Sequence, residues 1–289
     1  MRVALLSIED LSDFVADDEL LVEPLRRLGH DAEFVPWQAA VEWRKYGGVV
    51  IRTTWDYQNH LPAFLSVLRE IETQTRLANP LEIVKWNADK KICLQDIEKR
   101  GGKIVPTIWS DSKIDGRQIQ AWFEQLQTDE MVIKPTIGAN AQYAFRLRRG
   151  AVDAGELSEA FEKRSYMVQP FMRGIVEEGE FSLFYFNGEY SHTILKTPKA
   201  GDFRVQEEHG GIIRATKPAA DLLATGEKIM QYISPTPLYA RVDFVRTDES
   251  EFVVVELELI EPSMYLREAA HAPQMFAEAI DSWLHQTPT

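Results

Sequence analysis

The chain opens on a largely apolar run, Val3 to Ile8. A continuous run of this length suits a strand buried on both faces of a parallel sheet. Leu20, Leu21, Leu25 and Leu28 then recur at helical spacing within Asp17 to Leu28, and Gly29 stops that helix. Ala32 to Trp37 and Gly48 to Arg52 read as two more strands, Leu61 to Arg76 as a second helix, and Leu81 to Val84 as a short strand after Asn79-Pro80. This alternation predicts a small open α/β sheet over about the first 85 residues.

Beyond that point the pattern changes. Asp89 to Lys99 is a short helix closed by Arg100-Gly101-Gly102. Strands are expected at Ile104 to Trp109, Glu130 to Pro135, Tyr143 to Leu147, Tyr166 to Phe171, Glu180 to Phe186, Glu189 to Leu195, Tyr239 to Arg246 and Glu251 to Ile260. Helices are expected at Leu157 to Lys163, Ala219 to Ile233 and His271 to Leu284. Asn187-Gly188 between two aromatic-rich alternating runs is a hairpin turn. The second part is therefore α+β with much antiparallel sheet. It shows no internal repeat and no low-complexity linker, so the parts are expected to pack together.

Composition narrows the function. The 289 residues are 45% hydrophobic and 27% charged, as in a globular protein, and suffice for about two domains. The net charge of −13 argues against broad nucleic-acid or anionic-membrane binding, both of which need a positive field. It leaves room for a local cationic pocket. A lone cysteine, Cys93, cannot pair within the chain and fits a reducing cytoplasm; it reads as a small buried residue. No signal peptide and no membrane-length apolar run is expected.

Several stretches can carry chemistry. In a strand, Glu256 and Glu258 project from one face while Val255, Leu257 and Leu259 share the other. Asp243 on a neighbouring strand can join them, and such oxygen donors suit Mg²⁺; an exposed edge strand guarded by acidic residues gives the same pattern. Lys134 ends an apolar strand, either snorkelling to water or aimed into a site. The small-residue loop after it, Thr136 to Gln142, can bring N–H groups to a phosphate, although it is not a Walker loop. Lys90 begins a helix that Asn87 or Asp89 can cap. Tyr166 to Met172 is a buried strand or an interdomain hinge. Arg204, in the polar loop Gly201 to Gln206, can grip a phosphate or carboxylate, or simply face water. His209 lies near it, and the six histidines form no metal motif.

The order of these stretches resembles the ATP-grasp superfamily over about residues 80 to 270. Within it the chain is similar to prokaryotic glutathione synthetases and especially to cycloserine-synthetase-like ligases. Arg52-Thr53-Thr54-Trp55-Asp56-Tyr57, Gly201-Asp202-Phe203-Arg204-Val205-Gln206 and Glu256-Leu257-Glu258-Leu259-Ile260-Glu261-Pro262-Ser263 carry that likeness. The resemblance implies an N-terminal domain at 1–85, a central lid lobe at 86–167 and a C-terminal lobe at 168–289. It implies that Lys90 and Lys134 meet the ATP phosphates and that loop 136–141, here with the single Gly138, covers them. Gln169, Pro170, Phe171 and Met172 match the adenine hinge, and Glu180 the ribose contact. Lys196 and Arg204 match cations near the γ-phosphate and the acid that receives it. Asp243, Glu256 and Glu258 match ligands of magnesium, with manganese as an alternative.

The implied reaction joins a small-molecule carboxylate to an amine through an acyl phosphate, in one molecule as in cycloserine synthesis or between two as in glutathione-type peptide ligases. A non-catalytic ATP-binding module is the remaining alternative. Arg52, Trp55, Asp56 and Gln206 are the candidate substrate contacts, with interdomain packing around Trp55 as the other reading. No nucleic-acid or membrane partner is expected; homodimerisation is.

Overall fold

The computed structural model describes residues 1–286. It contains three sheets. The first is parallel, built from β1 (Arg2–Ser7), β2 (Asp31–Pro36), β3 (Gly48–Thr53) and β4 (Leu77–Ala78) in the order β2-β1-β3-β4. Val3 to Leu6 have no exposed surface, which is why that run carries no polar alternation. The second is antiparallel and comprises β5 (Ile108–Ser110), β6 (Glu130–Pro135), β7 (Phe145–Arg148) and β8 (Tyr166–Pro170) in the order β5-β8-β6-β7. The third, also antiparallel, comprises β9 (Glu180–Phe186), β10 (Glu189–Thr197), β11 (Ile212–Thr216), β12 (Tyr239–Arg246) and β13 (Phe252–Glu258) in the order β11-β10-β9-β12-β13. Asn187 and Gly188 both take positive φ between β9 and β10, as a type I′ hairpin requires.

The five-stranded sheet positions the site because its two faces differ. One face is apolar throughout: Phe181, Leu183 and Tyr185 of β9 and Ala240, Val242 and Phe244 of β12 pack under helices 90–99 and 220–230. The other face changes character along its strands. At one end Phe184, Phe186 and Tyr239 meet the helix Ala272–His285, with Phe186 stacked on Phe276 at 4.4 Å. At the other end the same face carries Glu180, Ser182, Arg241 and Asp243, all buried. The antiparallel register sets Ser182 opposite Asp243, Asp243 opposite Glu256, Arg241 opposite Glu258 and Lys196 opposite Glu180.

Some expected elements are different in the structure. Leu81 to Val84 is not a strand but the start of the helix Leu81–Ala88. Three apolar residues in a stretch of four do not distinguish a buried strand from a buried helix. Here Leu81, Val84 and Ala88 turn to the N-terminal core and Ile83 to the core under the five-stranded sheet. The strand expected at Ile104 to Trp109 begins only at Ile108, because Val105 N–H bonds the Val254 carbonyl (3.2 Å) and Pro106 follows. The helix expected over Asp17 to Leu28 starts as a 3-10 turn, Asp18–Leu21, before the α-helix Val22–Arg27. Helix Gly116–Gln125 and strand β11 have no counterpart in the sequence reading. Asp115 caps that helix through Gln118 N–H (2.8 Å), a start signal present in the sequence.

The boundary expected at 167/168 falls inside β8. Helix Lys90–Lys99, placed with the lid from the sequence, packs through Cys93, Leu94 and Ile97 under the five-stranded sheet. We propose that the lid be drawn from Ile108 to Pro170, the span of its sheet.

His192 of β10 lies buried against Phe184, with ring centroids 4.2 Å apart. Its Nε2 faces the Met264 carbonyl at 3.1 Å, so this nitrogen carries the proton, and Nδ1 accepts from the Ser191 hydroxyl at 3.0 Å. Burial pushes its pKa down to about 4. The unfolded chain therefore takes up this proton first, near pH 6.5, and stability falls as pH drops from about 6.5 to about 4. The full effect is about 3 kcal/mol. His192→Gln should flatten this slope relative to wild type in urea unfolding measured across that pH range.

Candidate functional site

Two asparagine clips fix the strands that carry the acids. Asn79, fully buried, donates to the Tyr239 and Leu259 carbonyls (3.0 and 2.8 Å) and accepts from Leu238 N–H at 2.6 Å. Asn87 donates to the Leu257 carbonyl and accepts from Leu259 N–H, both at 2.8 Å. The helix start that Asn87 or Asp89 was expected to cap is capped by Asp89, through Lys91 N–H at 2.9 Å. Asn87 instead satisfies backbone groups at the end of β13, which a strand edge would otherwise leave unpaired.

Between the lid and the polar half of the five-stranded sheet lies a cleft with a volume of about 220 Å³. Lys90, Lys134, Gly138, Gln169, Pro170, Phe171, Met172, Glu180, Lys196, Arg204, Gln206, Asp243, Glu256 and Glu258 all line it, as does Trp55 from the N-terminal domain. Residues far apart in sequence are thus brought together.

Arg52 and Asp56 are not in the cleft wall. Arg52 is buried, with Nε donating to Asp18 (2.6 Å) and Nη2 to the Pro262 carbonyl (3.0 Å), between the rings of Tyr239 and Phe276. It fastens the N-terminal domain to the body of the molecule. Asp56 accepts from Trp37 Nε1 at 2.7 Å and Gln38 Nε2 at 3.0 Å. Trp55 donates to the Glu261 carbonyl at 2.9 Å while lining the cleft, so packing and cleft roles coexist there.

The acids are matched one by one with cations. Asp243 accepts from Lys196 Nζ at 3.2 Å, from Arg241 Nη2 at 3.0 Å and from the Ser182 hydroxyl. Burial opposes its ionisation, but Arg241 and Lys196 prevail and hold its pKa at about 2. Lys196 also reaches Glu180 at 2.6 Å. Burial pushes Glu180 up from the ordinary carboxylate value against the pull of that lysine. Glu256 faces Lys90 at 3.1 Å and Lys134 at 3.8 Å. Burial opposes its charge, yet the two lysines hold its pKa below the ordinary value. Glu258 pairs with Arg241. Burial raises it to about 7, with Arg241 opposing and the neighbouring Glu256 and Asp243 adding to the rise. Arg241 was not singled out in the sequence, although it stands two residues before Asp243 and so on the same face.

Lys90 also donates to the Gly138 carbonyl, and its own N–H bonds the Thr136 carbonyl at 2.9 Å. The loop after β6 is therefore anchored to the helix start. Asn140, Ala141 and Tyr143 take positive φ in this glycine-poor loop. Arg204 is held by Asp202, through Nη2 at 2.8 Å and Nε at 3.1 Å, and Asp202 also accepts from Arg204 N–H. Burial raises Glu261 to about 8, helped by the charge of Glu258. Cys93 is buried and its thiol is pushed up to about 12 by that burial, which makes it inert as a nucleophile.

Among the described residues, no three His, Cys, Asp or Glu side chains form a ready-made metal cage. Asp243, Glu256 and Glu258 do share one sheet face and offer hard oxygen donors. Burial and the charges of Glu256 and Asp243 raise Glu258 above the ordinary carboxylate range, a repulsion that a cation at this face would relieve. This donor set fits magnesium, which takes one or two carboxylates and completes its shell from phosphates and water.

With this geometry in hand, comparisons with known proteins are specific. A family model described as "D-cycloserine synthetase DcsG, N-terminal domain" matches residues 3–79. The cycloserine biosynthesis protein DcsG of Streptomyces lavendulae is 29% identical over 279 residues, covering 90% of this chain and 91% of its own length. The crystal structure of D-cycloserine synthetase DcsG superposes with a TM-score of 0.86 at 26% identity, over 98% of this chain and all of that one. The D-alanine–D-alanine ligase of Bacillus anthracis shares the fold, with a TM-score of 0.68 at 12% identity over 98% of this chain and 97% of its own.

The protein is an ATP-grasp enzyme, an ATP-dependent carboxylate–amine ligase. Within that class it is cycloserine-synthetase-like.

Arg241→Gln should leave Asp243 and Glu258 short of their shared partner. Removing one member of a buried ion pair costs about 3 kcal/mol. Urea unfolding of this variant at neutral pH should show a loss of that size, and a midpoint equal to wild type would refute the structural role of Arg241.

Proposed function

We propose that the enzyme forms an amide within a single small molecule, closing a ring, through an acyl-phosphate intermediate. The observation that carries this reading is the single cleft in which Lys90, Lys134, Lys196 and Arg204 converge with Asp243, Glu256 and Glu258. Lysines at the two strand and helix ends suit the phosphates of ATP. The segment Gln169 to Met172 along the cleft wall suits its base. Magnesium bound by Asp243, Glu256 and Glu258 would offset the phosphate charge.

In this reading Arg204 orients the substrate carboxylate against the γ-phosphorus. The carboxylate oxygen bonds to that phosphorus and the bond to ADP breaks. Positioning and fixed positive charge supply most of the acceleration. The amine nitrogen then bonds to the acyl carbon, phosphate departs, and the nitrogen gives up a proton. The likeness to cycloserine synthetase, over nearly the whole of both chains, favours an amine and acid in the same molecule. The substrate would be a small amino-acid derivative.

Release of ADP and phosphate should be measured over a panel of single amino-acid derivatives and of acid–amine pairs. Turnover with one derivative alone is expected, and a strict need for two substrates would overturn ring closure. Glu256→Gln should cut magnesium-dependent turnover by about 100-fold, the upper range for loss of a metal-site group. Retained turnover would remove Glu256 from the metal site. Lys134→Met should weaken ATP binding about tenfold or more, because a charge-assisted hydrogen bond contributes about 1.5–3 kcal/mol. Unchanged affinity by calorimetry would refute its contact with phosphate.

A further inference from the structure

One wall of the cleft is assembled from two segments that no sheet holds together. Phe14 and Val15, from the loop after β1, line it, and Phe14 packs on Trp55 with ring centroids 5.1 Å apart. Arg204 to Glu208, from the loop between β10 and β11, line it beside them. Arg267, in the 3-10 turn Leu266–Glu268, stands between the two segments. Its Nη1 lies 3.0 and 2.9 Å from the two carboxylate oxygens of Asp17. Its Nη2 lies 2.6 Å from each carboxylate oxygen of Glu207. The guanidinium also lies over the Tyr265 ring, 5.2 Å from its centroid.

A planar guanidinium holds two carboxylates at fixed mutual orientation, which a lysine ammonium does not. Asp17 is three residues from Phe14, and Glu207 is three residues from Arg204. Arg267 has about a quarter of its side chain exposed and Asp17 a tenth, so water reaches the forks only in part. On its far side the Arg204 loop also meets the lid, where His209 Nε2 donates to the Asn140 carbonyl at 3.2 Å.

We propose that Arg267 is a positioning residue for the ligation, tying the segment that carries Phe14 to the loop that carries Arg204 so that the substrate end of the cleft moves as one wall. The proposal rests on the ligase reading, which assigns the substrate carboxylate to Arg204.

Hydrogen exchange of the full-length protein reads the coupling directly. Arg267→Gln should speed amide exchange about fivefold in both 10–17 and 202–211, consistent with a partly buried ion-pair network. The deciding variants are Asp17→Asn and Glu207→Gln, each of which leaves the other fork in place. Asp17→Asn should speed exchange in 202–211, and Glu207→Gln should speed it in 10–17. Glu207→Gln should also change tryptophan emission through the Phe14–Trp55 contact, and Trp55→Phe should abolish that change. Arg267→Lys should fail to restore the coupling. If either crossed effect is missing, or if lysine restores it fully, the proposal fails. Calorimetry with Mg·ADP separates the two readings. Wild-type protein that does not bind it counts against the ligase reading, whereas lost coupling with Mg·ADP binding intact counts against Arg267 alone.

Discussion

The acidic half-face of the five-stranded sheet can exist only because cations, some on the sheet and some from outside it, meet it. Asp243 is buried to 2% exposure, and an isolated carboxylate there would be protonated or expelled. Arg241 comes from the same strand and Lys196 from β10. Lys90 comes from a helix start and Lys134 from the lid, and both approach Glu256. The lid is therefore held to the body of the molecule partly by the charges that define the cleft. In the proposed reading, nucleotide phosphates entering the cleft would compete with these carboxylates for the same lysines. Asp243, Glu256 and Glu258 would then hold magnesium, which would supply the positive charge that the lysines no longer give them.

The apolar half of the same face makes this arrangement affordable. Phe184, Phe186 and Tyr239 bury against the C-terminal helix, and the opposite face is covered by two further helices. A strand such as β12 thus alternates between a side where Ala240, Val242 and Phe244 are buried and one where Arg241 and Asp243 stand between Tyr239 and Val245. Burial of these apolar residues anchors the strand on both sides of the ionic pair, which has no freedom to swing away. The acidity of the whole chain does not contradict a site for a polyanion, because the cations are concentrated where the lid, the helix start and the sheet converge.

Much of this was legible in the sequence wherever one residue's neighbours decide its role. The hairpin at Asn187-Gly188 follows from the φ values that pair adopts. Glu256 and Glu258 share a face because strand side chains repeat every two residues, and Lys90, Lys134, Glu180, Lys196, Arg204 and Asp243 follow from motif order, whereas Arg241 does not. What the sequence hid were partners set by tertiary approach. Arg52 ends a strand like a substrate-binding arginine, yet Asp18 and the Pro262 carbonyl claim it. Asn87 looks like a helix cap, but a strand edge lies within its reach. Leu81 to Val84 carries too short an apolar run for its period to declare itself. Arg267 gave no local signal, because both its carboxylates lie at least 60 residues away.

Asn79 and Asn87 grip only the main chain of the acid-bearing strands. A strand held by its peptide groups keeps its register whatever side chains it presents. Wall residues outside the ion-paired set can therefore be exchanged without loosening the frame that aims them. In the proposed reading, the phosphate and substrate ends of the cleft would be separately adjustable parts. Such a frame can pass from one acid and amine to another by changing wall residues alone, with the ATP chemistry left in place.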